Sequence, residues 1–263
     1  METLKILTDY YSEYDEDSRL RSQHGMVEFL TTMRYIEKYL KPGMRILEIG
    51  AGTGRYSHVL AQKGYPVDAV ELVQHNIDVF REKTQPGEQV TICQGNATDL
   101  HMLETDTYDI TLLLGPMYHL FTVEEQKKAL AEAIRVTKKG GIVFAAYCGN
   151  DASMVQFCFR RGMLREKRYR DLVDPVTFKA SSDPAELFVL YRREDIDALM
   201  TGFPVQRLHY VGTDMAANYM RTEVDAMEED FFALYLRYHY AICERADMVG
   251  VSHHLLDIFR KDG

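Results

Sequence analysis

The apolar positions along the first half of this chain alternate between two periods. Residues 19–40 place Met26, Phe29, Leu30, Met33, Ile36 and Leu40 at helical spacing, and Lys41-Pro42-Gly43 then stops the helix. MRILEIG (44–50) is a short apolar run ending in glycine, which predicts a strand. A helix from about Thr53 to Lys63 follows, with Tyr56, Val59, Leu60 and Lys63 on one side and Gly64 at its end. The pattern continues as strand 66–72, helix 74–84, strand 89–94, a short turn or helix, strand 108–115, helix 122–137 and strand 141–149. Strands that are nearly continuous apolar runs, separated by helices of this length, predict a parallel sheet covered on both faces. Right-handed crossovers would wind it doubly, giving an α/β fold.

After Gly149 the rhythm changes. Residues 150–185 mix helical and loop signals, with Asp174-Pro175 and Asp183-Pro184 as breakers, before a helix near 193–200 and a strand near 203–211 resume the alternation. Residues 223–247 read as one long amphipathic helix with Val224, Met227, Phe231, Leu234, Tyr238 and Ile242 on its apolar side, and 253–261 as a closing strand. If the strand at 203–211 is parallel to the others, the irregular segments leave from the carboxyl ends of strands, where open α/β sheets bind ligands. The chain therefore reads as one domain, 1–263, with a core at 26–149. Segments 1–25, 150–190 and 212–250 form a helical cap built from insertions over the site.

Composition narrows the classes. A chain of 263 residues with 46% hydrophobic content can bury a substantial core, and its net charge of −9 argues against a general affinity for nucleic-acid backbones. Cys93, Cys148, Cys158 and Cys243 are too widely spaced for a zinc or redox pair, so no metal is expected and reduced thiols in a cytoplasm fit best. The first residues turn acidic without a basic region and apolar stretch, so no secretory signal is expected. No window approaches the roughly 20 apolar residues of a membrane span.

The decisive segment is ILEIGAGTG (46–54), between a predicted strand and a predicted helix. Gly50, Gly52 and Gly54 let the backbone turn sharply and approach a ligand closely, and the helix that follows offers unpaired N–H groups. The spacing is not the G-x-G-x-x-G of dinucleotide enzymes, which counts against a nicotinamide oxidoreductase, and no Lys-Ser/Thr follows as a P-loop needs. Glu48 at the loop entrance disfavours a pyrophosphate and could face a cationic ligand. Glu71, 21 residues after Gly50 at the end of the next strand, can accept hydrogen bonds from both hydroxyls of a ribose; a solvated strand terminus is the alternative.

ILEIGAGTGRYS, VDAVEL, QGNATDL, YDITLLLGPMYHL and KKGGIVFAAY, in that order over about residues 44–148, resemble the motifs of class I S-adenosylmethionine-dependent methyltransferases, and the ordered set is specific. The resemblance implies a Rossmann-like fold and S-adenosylmethionine as cofactor. It implies that the Gly50 to Gly54 loop, with Ala51 and Thr53, passes under the methionine part, that Glu71 holds the ribose and that Leu72 lies beside the adenine. Asn96 would face the adenine amino group and the Ala97 N–H a ring nitrogen. Many members carry Asp where this chain has Asn96, whose amide oxygen can accept the same bond. Glu48, Tyr56, Leu114 and Gly115 complete the expected cofactor set.

Leu114 to His119 leaves the fourth strand where the family brings acceptor and methyl together. His119 is the candidate general base, since an unperturbed imidazole titrates near neutral pH; a histidine that packs or fixes the loop is the alternative. The segment lacks the Asn/Asp-Pro-Pro-Tyr/Phe pattern of methyltransferases acting on amide or nucleobase nitrogens. Arg160, Arg161, Arg165, Lys167, Arg168 and Arg170 make a basic stretch that could meet an anionic substrate or RNA, or be a solvated face. Tyr235, Tyr238, His239 and Tyr240 could line an aromatic pocket or simply pack, and Tyr10, Tyr11 and Tyr14 could close over the cofactor. The expected function is methyl transfer to a small-molecule acceptor, with no membrane partner. An RNA methyltransferase and a non-catalytic S-adenosylmethionine-binding protein stand as alternatives.

Overall fold

The computed structural model describes residues 2–13, 20, 22–186 and 188–263; Tyr14 lies outside them. Helices α1 (Glu2–Glu13) and α2 (Gln23–Tyr39) precede the first strand. Then come β1 (Ile46–Ile49), α3 (Arg55–Gln62), β2 (Val67–Glu71), α4 (Gln74–Lys83), β3 (Val90–Gln94), β4 (Tyr108–Leu113), α5 (Val123–Val136) and β5 (Thr137–Gly149). Local sequence sets several of these boundaries. Ser22 caps α2 by accepting from the Gly25 N–H, and Thr122 with Glu125 closes a reciprocal capping box on α5.

The second half begins with α6 (Asn150–Ser153), which runs into a π-helical turn (Met154–Arg160), and continues with α7 (Lys167–Asp171) and the two-residue β6 (Leu190–Tyr191). It ends with α8 (Arg193–Met200), β7 (Val205–Gly212), α9 (Met215–Tyr219), α10 (Arg221–Asp225), α11 (Glu229–Ile242) and β8 (His254–Lys261). The sheet order is β3-β2-β1-β4-β5-β8-β7, with β6 paired beside the end of β5. Strands β1 to β5 are mutually parallel. Strand β8 is antiparallel to both β5 and β7, so β7 runs parallel to β5, as the sequence reading required.

Alternate residues of the central strands feed two cores, one on each face. Leu47, Leu113, Val143 and Ala145 pack with Leu130 and Ile134 of α5, while Ile46, Leu112, Ile142 and Phe144 pack with Ile36 of α2 and Leu60 of α3.

The long helix expected at 223–247 is instead two, α10 and α11; Val224, Met227 and Ile242 of its expected apolar side do pack inward, but the rest is misassigned. Phe231, Leu234 and Tyr238 are exposed, whereas Phe232, Tyr235 and Leu236 pack toward Val27, Ala217 and Val224, and His239 is buried. The break at 226–228 resets the helical phase, so a stripe extrapolated from Val224 and Met227 lands on the wrong face.

Asp257, in the middle of β8, is fully buried and pairs with Arg207 of β7 through Nε to Oδ1 at 2.6 Å and Nη2 to Oδ2 at 2.9 Å. Burial pushes the Asp257 carboxyl up despite this partner. Arg207→Met should therefore lower stability by about 3–5 kcal/mol, the usual cost of leaving one member of a buried pair. Because the folded-state value lies above the unfolded one, stability associated with Asp257 falls as pH rises through the interval between them. Denaturant melts should show a larger Arg207→Met deficit at pH 8 than at pH 5; a pH-independent deficit contradicts this account.

Candidate active site

The loop after β1 turns through left-handed glycines, Gly50 at φ 75°, Gly52 at 53° and Gly54 at 88°. They do different work. A Cβ on Gly50 would lie 2.5 Å from Pro116 Cδ, so glycine is needed for the loop after β4 to press against this one. A Cβ on Gly54 would lie 2.5 Å from the Phe80 ring, on the side away from the cavity, and Gly54 is not among the lining residues, unlike Gly50, Ala51, Gly52 and Thr53. Gly54 thus seats α3 on α4.

Two buried carboxylates stand at adjacent strand ends. Glu71 Oε2 accepts from the Gly52 N–H at 2.8 Å, and Oε1 from the Val73 N–H at 2.9 Å and Asn76 Nδ2 at 3.3 Å, so this side chain ties the end of β2 to the glycine loop. Glu71 is buried, which is at odds with the alternative of a solvated strand terminus. Glu48 accepts from the backbone N–H of Ser57 at 2.9 Å and from its hydroxyl. Burial pushes the Glu48 carboxyl up to about 8 against those hydrogen bonds, and the nearby Glu71 charge adds to the rise.

Both acids line a cavity of about 1030 Å³ that also takes in Leu72, Asn96, Ala97, Tyr56, Leu114, Gly115 and His119. Every expected cofactor residue except Gly54 is therefore brought to one chamber. Asn96 departs from expectation in detail. Its Oδ1 accepts from the Thr98 N–H and from Thr98 Oγ1, each at 3.0 Å, so a ligand amino group would have to displace one of these bonds to reach it.

At the mouth, His119 Nε2 lies 2.8 Å from the Tyr11 hydroxyl of α1, and its ring packs 5.2 Å from Phe188. The N-terminal helix is thereby joined to the loop after β4. Cavity-lining residues come from all three cap segments, including Leu7 and Tyr10, Phe157 and Leu172, and Thr213 and Arg221. Helix α11 stays away: Tyr235, Tyr238, His239 and Tyr240 do not line the cavity, and Tyr240 sits under Arg34 instead.

The basic stretch is held in place by short-range contacts. Lys167 pairs with Asp171, and Arg168 with Glu166 and Glu186; Arg160 donates to the Tyr219 carbonyl and Arg170 to the carbonyls of Leu164 and Arg165. Lys167 and Arg168 thus have acidic partners, while Arg160 and Arg170 are held by backbone carbonyls and keep their charge.

Sequence reasoning missed a polar cluster on the far side of the same cavity. Asp214 follows β7, and Oδ1 accepts from Ser252 Oγ at 2.7 Å, the His253 N–H at 2.8 Å and the His254 N–H at 3.2 Å. Its Oδ2 lies 2.9 Å from His254 Nδ1, and Glu28 Oε2 lies 3.1 Å from the same nitrogen. Burial works to raise the Asp214 pKa, but the hydrogen bond and charge of His254 outweigh it and hold the carboxyl well below the usual carboxylate range. Asp214, His253 and His254 offer ligand atoms within 4.8 Å of one another. A cation there would compete with the donors that already occupy both Asp214 oxygens. The available signal was an acid just past a strand end and a His-His pair opening the last strand. It becomes legible only once β8 is known to run antiparallel.

Residues 46–141 match the family described as methyltransferase domain. The chain is 33% identical over 158 residues to a demethylmenaquinone methyltransferase of Clavibacter sepedonicus, covering 59% of each protein. It is 29% identical over 127 residues to a ubiquinone biosynthesis O-methyltransferase of Methylocella silvestris, covering 48% of each. The first curated relatives are matched over 35–59% of their length. A solved protein of Pyrococcus horikoshii superposes with a TM-score of 0.61 at 16% identity, covering 97% of this chain and 99% of that one, a likeness of fold. With the ordered motifs placed along the strand ends of this sheet, residues 46–141 form a methyltransferase domain similar to those of class I S-adenosylmethionine-dependent methyltransferases, whose cofactor is S-adenosylmethionine.

The residues fit that cofactor: a buried carboxylate for hydroxyls, apolar Leu72 and Ala97 for a flat base, and a close-packed glycine loop with an acid behind it for a cationic tail. Glu71→Ala should weaken binding of S-adenosylhomocysteine by about 1–3 kcal/mol, and it should also lower the melting temperature because three donors lose their acceptor. Calorimetry and thermal melts read the two effects; a variant with unchanged affinity removes Glu71 from the ribose role.

Proposed function

We propose that this chain transfers a methyl group from S-adenosylmethionine to a small-molecule acceptor. The observation that carries the reading is the single chamber of about 1030 Å³, at the upper end of what one small-molecule ligand needs, roughly 300–1,000 Å³. It runs from the glycine loop and Glu71 to the Asp214 and His254 cluster, so cofactor and acceptor can share it. The names of the quinone-related relatives, a demethylmenaquinone methyltransferase and a ubiquinone biosynthesis O-methyltransferase, point the same way. The net charge of −9 speaks against RNA.

When bound, the cofactor supplies a methyl group on a cationic sulfur that an acceptor lone pair can displace. The chain's own contribution is to bind, align and exclude water. Gly50 to Thr53 would hold the amino-acid end, Glu71 the ribose and Leu72 with Ala97 the base. Tyr10, Tyr11, Phe188 and Phe157 would wall the acceptor side. Methyl label from S-adenosylmethionine should appear in the metabolite fraction of an extract; label confined to RNA or protein, or none, counts against the proposal.

Glu48 gives an independent check. With its carboxyl near 8 in the free protein, it holds a proton at neutral pH, and a cationic ligand beside it favours the carboxylate. Cofactor binding should therefore release a proton at pH 7, and the release should fade above pH 8 where Glu48 is already ionised. Calorimetry in buffers of different ionisation enthalpy measures this. Glu48→Gln should abolish the release.

His119 we assign as a clasp for α1 rather than the base. His119→Ala and Tyr11→Phe should then act alike, raising KM for the acceptor with little change in kcat. A large kcat loss in His119→Ala that Tyr11→Phe does not share would restore the base role.

A further inference from the structure

The carboxyl edge carries a second set of buried polar groups, separated from the adenosyl cradle by β4 and β5. It is built with care for position. Gly149 and Gly212, ending β5 and β7, make room for the turn at Ser252: a Cβ on the first would lie 2.4 Å from the Ser252 carbonyl oxygen, and one on the second 2.8 Å from Ser252 Cβ. Three hydrogen bonds from that turn fix Asp214, and Asp214 with Glu28 then fixes the imidazole of His254.

We infer that His254, oriented by Asp214 and Glu28, takes the proton of an acidic hydroxyl on the methyl acceptor, a phenol or enol, and holds the oxyanion for methylation. This rests on the methyltransferase reading. Two carboxylates at Nδ1 place the ring proton there and make Nε2 the basic atom; they also stabilise the second proton once it arrives. His254 lines the cavity, with the Tyr118 ring centroid 6.1 Å away and the His253 ring at 4.5 Å; Phe157 lies 5.4 Å from His253. These rings form a wall suited to a planar acceptor. Proton transfer to imidazole is efficient only when the donor's pKa is not far above it, which a phenol near about 10 satisfies and an alkyl alcohol does not.

The step balances. The acceptor O–H bond breaks, its electron pair stays on oxygen and the proton passes to Nε2. The oxygen pair forms the bond to the methyl carbon as the carbon–sulfur bond breaks, and that pair stays on sulfur. The positive charge that leaves the sulfur reappears on the imidazole between two carboxylates.

The test uses 4-nitrocatechol, whose absorbance reports its own ionisation, added to the full chain saturated with S-adenosylhomocysteine in EDTA. Among the described residues, the groups that face His254 and titrate or carry charge include Glu28, Asp214, Tyr118 and His253, and His24, Arg161 and Arg221 line the same cavity. Variants therefore accompany the pH titration. The bound probe should ionise at least about one pH unit below the free probe, a tenfold bias. His254→Asn should return it to the free value with unchanged affinity for S-adenosylhomocysteine, and Glu28→Gln, which retains the imidazole, should give a smaller shift than the parent. Should His254→Asn fail to fold, the parent and Glu28→Gln titrations still decide the matter. The inference is overturned by a parent protein that binds S-adenosylhomocysteine yet leaves the probe at its free value, by a full shift in His254→Asn, or by a shift that vanishes in EDTA and returns with zinc, which assigns the cluster to a metal. Failure to bind S-adenosylhomocysteine counts against the methyltransferase reading itself, and this inference falls with it.

Discussion

An antiparallel strand lying between two parallel ones dictates which residues meet at the ligand edge of this sheet. Strands β5 and β7 end at that edge, so β8, running the other way, must begin there, and whatever residues open it are delivered to the cavity. The chain supplies His253 and His254 at that point. Holding such a strand in register requires anchors at both its start and its middle. The turn at Ser252 is clamped by Asp214 and admitted by two glycines, and the Arg207 to Asp257 pair sits in the interior of the β7–β8 ladder. A polar residue at the centre of β8 is costly in energy, but it marks one register only, because a one-residue slip would turn Asp257 to the opposite face away from Arg207.

The two acids of the cofactor half show how environment separates identical side chains. Glu71 receives three N–H donors and serves as a tie between β2, the glycine loop and α4. Glu48 receives donors from Ser57 alone and sits deeper, so burial dominates and it favours its proton. One carboxylate is a fixed acceptor and the other a group whose charge can answer a cation. Their closeness requires this division, since two full negative charges behind one glycine loop would repel one another.

Most of the core was legible because parallel strands buried on both faces are apolar runs, and such runs between glycines and helices leave little choice of period. Strands at 46–49, 67–71, 90–94 and 108–113, and helix 193–200, fall inside or on the expected spans. The residues expected at the cofactor converge on one cavity because motif order follows strand order, and Gly54, which packs against Phe80, lies outside that lining. The second half resisted for a different reason. Phase in α11 depends on where a short break falls, and breaks of two or three residues carry no strong residue signal here. The acceptor cluster drew Glu28, Asp214 and His254 from three distant segments whose meeting depends on the direction of β8.

Chemistry at this edge is therefore divided by the order of the strands. Ends of β1, β2 and β3, carried by the local motifs, shape the half of the cavity that recognises an adenosyl group. Ends of β5 and β7, with the beginning of β8, shape the other half, and there each polar contact joins residues far apart in sequence. A fold arranged this way can keep its cofactor while changing its acceptor, because substitutions at 28, 214 or 254 disturb neither the glycine loop nor Glu71. Aromatic side chains from α1, the loop after β4 and the segment before β6 meet at the cavity, with His119 in contact with both Tyr11 and Phe188.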